Sequence, residues 1–101
     1  MSKELLINLK GNLLKTYQER LEECNGDILD GGLVVYRSIL GLIDHNVKNR
    51  TTEGVLGVLE HQLEGIKQVQ DTYKSMGIET SDTGTMLSAI KEIQEEIDKL
   101  T

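Results

Sequence analysis

The residues with chemistry to offer are few. Two histidines, His45 and His61, and one cysteine, Cys24, are spread over 101 residues that include no Trp, Phe or Pro. A di-iron helical bundle needs Glu-x-x-His pairs on inward faces. Here the residues three before the histidines are Leu42 and Val58. His61 stands near Glu60 and Glu64 without a second matching pair, so no metal is expected. A single cysteine excludes a disulfide framework or a thiolate zinc site within one chain. Asn25, Asp27 and Asp30 resemble a calcium loop superficially. EF-hand spacing would need an oxygen ligand at Leu29 and the glycine at Asp30, so the match fails.

Nucleophilic catalysis fares no better. Ser38, Asp44 and His45 share one helical segment, where their spacing cannot form a triad unaided. Cys24 falls on an apolar stripe, where a cysteine packs as a small hydrophobe. No Walker or dinucleotide glycine pattern follows a strand-like segment. The chain therefore reads as non-enzymatic and implies no cofactor.

One anion-binding arrangement remains. Lys48-Asn49-Arg50-Thr51-Thr52-Glu53 puts two cations and two hydroxyls at the expected start of a helix, where free N–H groups and the dipole attract phosphate. Asp30-Gly31-Gly32, with Arg37 about two turns on, is a second glycine-bearing helix start. Lys48, Arg50, Thr51, Thr52 and Arg37 are thus the candidate ligand residues. Capped turns with basic neighbours are also ordinary structure, so the ligand reading competes with a bland one.

These residues need elements to position them, and the apolar spacing supplies four helices. Leu6, Leu9, Leu13, Tyr17, Leu21, Cys24 and Ile28 recur at helical steps after Ser2 and Glu4, with Asn25-Gly26 as terminator. Gly11 inside that helix suggests a close contact, or simple drift. The second helix, about Gly32 to Val47 after an Asp30 cap, carries Leu33, Tyr36, Leu40, Ile43 and Val47 on one stripe. Val35, Ile39 and Leu42 lie on a second stripe, which marks a central helix. Thr51 or Thr52 is expected to cap the third, whose core face is Leu56, Leu59, Leu63, Ile66, Val69, Tyr73 and Met76. Met76-Gly77-Ile78 fits a Schellman ending. In the fourth, capped within Thr80 to Thr83, Met86, Ile90, Ile93, Ile97 and Leu100 form a two-heptad seam.

The expected fold is all-α, with residues 1–101 as a single domain. It is an up-down bundle of about four helices of uneven length, the first and third at about 24 residues. Unequal lengths leave parts of the long helices uncovered, which favours self-association. The third helix adds a peculiarity, because Gly54, Gly57, His61 and Gly65 fall on one uncharged stripe with Val58, Gln68 and Thr72. Glycine weakens a helix but lets another backbone approach closely. A crossing within the bundle is the plainest explanation. A contact between copies and a ligand groove are the others.

Composition narrows the function classes. Thirty branched aliphatics (15 Leu, 9 Ile, 6 Val) exclude disorder, and the scarcity of aromatics and Pro argues against an all-β sandwich. The net charge is −6, with −4 of it in residues 78–101, so neither a basic stripe nor stacking aromatics invite nucleic acid. The longest nearly apolar run, Leu33 to Ile43, is interrupted by Arg37 and Ser38 and is too short to span a bilayer. The charged start lacks the pattern of a signal peptide, so a cytoplasmic location is expected. The leading expectation is a small helical interaction protein that binds a macromolecular partner as a homo-oligomer. The alternative is a homo-oligomeric binder that sequesters a small anionic, nucleotide-like ligand. The overall type is compatible with small phage or bacterial accessory proteins.

Overall fold

The computed structural model describes residues 3–27, 30–49, 53–78 and 81–100. Four helices account for nearly all of them: α1 (Lys3–Glu23), α2 (Gly31–Lys48), α3 (Val55–Ser75) and α4 (Ser81–Asp98). No strand occurs among the described residues, and no helix is long and apolar enough to cross a membrane. The long helices have 21 residues and the short ones 18.

Local chemistry explains three of the ends. Asp30 caps α2, its carboxylate accepting from the Leu33 amide at 3.2 Å. Both long helices end in Schellman turns. In α3 the Ile78 amide donates to Tyr73 O at 2.8 Å and the Gly77 amide to Lys74 O at 3.1 Å, with Gly77 at φ 76°. In α1 the pattern repeats, Gly26 donating to Leu21 O and Asn25 to Glu22 O, and Asn25 takes the left-handed position at φ 54°. These are the stops read from Asn25-Gly26 and Met76-Gly77-Ile78. The start of α3 differs. Gly54, at φ 74°, is its N-cap and supplies no side-chain bond, and Thr51 and Thr52 lie outside the described residues.

Packing makes the two shorter helices central. α2 and α4 each touch all three other helices, whereas α1 and α3 do not meet. The core is aliphatic with one tyrosine. Leu6, Leu9 and Leu13 come from α1, Tyr36, Ile39 and Ile43 from α2, Leu59 and Leu63 from α3, and Ile90, Ile93 and Ile97 from α4. The two-striped second helix and the isoleucine seam of the fourth are buried as their spacing implies.

The outer helices depart from expectation. On α3 the buried face is Val55, Leu59, Leu63 and Gln70, while Val69, Tyr73 and Met76 are exposed at 48, 44 and 65%. The apolar arc of α3 is wider than its neighbours cover, and every residue of the helix after Gln70 is exposed. Gly11 faces open space, so no close contact explains it. Ile28 lies outside the described residues.

Candidate functional site

Three surface features could carry function, and each grows out of a particular helix face. The first is a polar network where α1, α2 and α4 meet. Tyr36 is buried, and its hydroxyl donates to Glu92 Oε2 at 2.8 Å. Glu92 Oε1 in turn pairs with Arg20 Nη2 at 3.4 Å, and the same nitrogen reaches Ser88 Oγ at 3.4 Å. The guanidinium sits 5.8 Å from the centre of the Tyr36 ring, within cation–π range. Burial, then the hydrogen bond and negative charge of Glu92, push the Tyr36 phenol well above its ordinary value. A neutral phenol held this way is a fixed donor and a poor proton carrier. The network therefore ties three helices together around a phenol that stays protonated near neutral pH. Sequence reading placed Tyr36 on a core stripe and passed over Arg20 and Glu92. The missed signal was a large polar-tipped residue on an otherwise aliphatic face, which needs a partner when buried.

This network also accounts for Gly32 at the start of the second helix. Gly31 and Gly32 are buried, and a methyl group on Gly32 would lie 2.5 Å from Arg20 Nη1. The guanidinium thus occupies the space a side chain would fill. At the helix start Asp30-Gly31-Gly32 the Asp30 carboxylate already accepts from the Leu33 amide.

Of the expected anion residues, Arg37 and Lys48 are exposed on α2. Arg50, Thr51 and Thr52 lie outside the described residues. His45 sits near the C-terminal end of α2, where Asn49 Nδ2 donates to its carbonyl at 2.9 Å. Among the described residues no group of three or more His, Cys, Asp or Glu could hold a metal ion. Cys24 is half-buried, and desolvation followed by the Asp30 charge and hydrogen bond pushes its thiol up, away from a reactive thiolate.

The second feature is the uncharged stripe of α3. Gly54, Gly57, His61 and Gly65 are all exposed, and added methyl groups on the three glycines would meet nothing within 4 Å. The crossing within the bundle is thereby overturned, because no described element of the chain lies against the stripe. Val58 on it and Val69, Tyr73, Met76 and Ile78 beside it are exposed at 44 to 65%. Gly65, Gln68, Val69, Thr72 and Tyr73 line a shallow depression along the same face. The Schellman turn brings Ile78 back beside Tyr73, extending the apolar surface past the helix end.

The third feature is a groove of about 570 Å³ between α3 and α4. Its floor is Leu63, Leu87 and Ile90, and charged residues of both helices form its rim. Nothing in the sequence reading pointed to it, because a groove between two helices depends on their separation and not on either periodicity. Compared with protein-family models, curated proteins and solved structures, the chain shows no match.

Proposed function

We propose that the chain is a small non-enzymatic interaction protein that binds a macromolecular partner as a homo-oligomer joined through α3. The observation that carries this reading is the uncovered stripe of α3. Five large apolar side chains and three glycines share a surface that no other described part of the chain covers. Apolar surface of this kind, on a helix with an uncharged face, is the usual mark of a contact surface. The glycines add a geometric reason, since they permit a facing backbone to approach closely. A two-fold contact suits a face without charges, because the same patch meets itself across the axis and like charges near the axis would repel. The bundle itself is read as up-down. Lys10 pairs with Asp44 towards one end of α1 and α2, while Arg20 lies over Gly32 towards the other, the register of antiparallel neighbours.

The test is Gly65→Leu followed by sedimentation velocity and circular dichroism. Open space at Gly65 means the protomer should stay folded with its helical signal intact. The oligomer should dissociate. A wild-type chain that remains monomeric at high concentration, or a variant that associates equally well, overturns the reading.

A further inference from the structure

We propose that the α3–α4 groove receives a basic amphipathic helix of about three turns, presented by a macromolecular partner. The inference rests on the reading that the chain docks a macromolecule, but it does not depend on self-association through the uncharged stripe.

Charge is the main argument. Glu64 and Asp71 from α3 and Glu95 and Asp98 from α4 line the groove, against only Lys67 and Lys91. No ion pair crosses from one helix to the other among the described residues. The interhelical pairs join α1 to α2 and α1 to α4. The side-chain carboxylates of Asp71 and Glu95 make neither a hydrogen bond nor an ion pair with any described residue. Carboxylates in excess over ammonium groups, with low-dielectric walls between them, concentrate a negative potential along the groove. A cationic occupant answers that potential, and an acidic one is repelled.

Shape supplies the rest. Leu63, Leu87 and Ile90 make an apolar floor, which calls for apolar side chains on the occupant. The lining runs from residue 63 to 71 on one helix and from 87 to 98 on the other. At 1.5 Å per residue this is a trough of about 12–16 Å, the length of roughly ten helical residues. Apolar anchors at i, i+3/i+4 and i+7 on one side of a helix, with lysine or arginine on its flanks, satisfy floor and rim together.

The experiment uses two labelled synthetic peptides of leucine anchors at helical spacing, one flanked by lysine and one by glutamate. Fluorescence anisotropy measures binding to the full chain, and amide chemical shifts locate it. The lysine peptide should bind, shift the amides around Leu63, Leu87 and Ile90, and gain helical signal. The double variant Asp71→Lys/Glu95→Lys should weaken it by about tenfold or more, equivalent to ~1.4 kcal/mol. Glu19→Lys/Glu22→Lys, the same change of charge on α1, should leave affinity within about twofold. Equal weakening by both pairs reveals general attraction to an acidic chain and overturns the proposal. Equal binding of the glutamate peptide, shifts confined to the uncharged stripe, or no binding overturns it too. Sedimentation of Asp71→Lys/Glu95→Lys reports self-association separately, so loss of the groove and loss of the oligomer are distinguishable.

Discussion

At the scale of single residues, Tyr36 and Cys24 show how burial and one neighbouring carboxylate decide chemical character. The Tyr36 hydroxyl gives Glu92 a bond to a charged acceptor, of a kind worth about 1.5–3 kcal/mol. Tyr36→Phe should lower unfolding stability by about that amount near neutral pH, measured by urea denaturation. Because folding raises the phenol's value, the stabilisation is fully present below the ordinary tyrosine range and is lost as pH rises through the raised value. The gap between wild type and Tyr36→Phe should therefore stay level up to about pH 9 and narrow above about pH 10. A gap that widens with alkalinity would mean the phenol is not the donor. At Cys24 desolvation pushes the thiol up, and Asp30, which also caps α2, adds its charge in the same direction. Asp30→Asn keeps the cap and removes the charge, since asparagine caps about as well as aspartate. Alkylation of Cys24 by iodoacetamide at pH 8 should accelerate in that variant with little loss of helix. Unchanged alkylation would leave desolvation as the whole cause.

At the scale of helices, glycine has opposite consequences at different places along the chain. Gly57 and Gly65 lie within α3 and face open space, so replacing either by alanine should stabilise the protomer by about 0.5–1 kcal/mol. Gly77 holds the Schellman turn at φ 76°, and alanine there should cost about 1–2 kcal/mol. Chemical denaturation of the three variants at low protein concentration separates these signs. Destabilisation by Gly57→Ala under those conditions would show that something in the same chain covers the stripe. How far the fold was legible follows from the same local physics. Stops encoded by Asn25-Gly26 and Gly77 can be read directly, because one backbone conformation requires them. The seam through Ile90, Ile93 and Ile97 is equally plain, since one face is apolar and the rest is charged. On α3 the spacing of Leu59, Leu63, Val69, Tyr73 and Met76 announces an apolar face but not what covers it. Only the placement of α2 and α4 decides that the covered part turns towards Val55 and Gln70. The Arg20–Glu92 pair was hidden for a related reason, as its partners lie 72 residues apart.

At the scale of the whole molecule, the unresolved energetic term is the exposed apolar surface of α3. In an isolated protomer, Val69 is 48% and Met76 65% exposed, so polar replacements there should change stability by less than about 0.5 kcal/mol. The buried counterpart Ile93, fully hidden on α4, should cost about 2–5 kcal/mol on truncation to alanine. If copies join through α3, the surface positions acquire a second role that depends on concentration. A dimer stabilises its folded chains by mass action, by about 0.7 kcal/mol per protomer for each tenfold in concentration well above the dissociation constant. For a chain of this length that is roughly 3–5 °C in Tm per tenfold. Differential scanning fluorimetry across a hundredfold concentration range should thus show a rising Tm for wild type and a flat one for Val69→Ser/Met76→Ser. The two curves should meet at the lowest concentrations, where both proteins are protomers. Ile93→Ala should instead lower Tm at every concentration while keeping the slope. A flat wild-type curve would remove the homo-oligomer from the proposed function and leave α3 as a surface awaiting a different macromolecule.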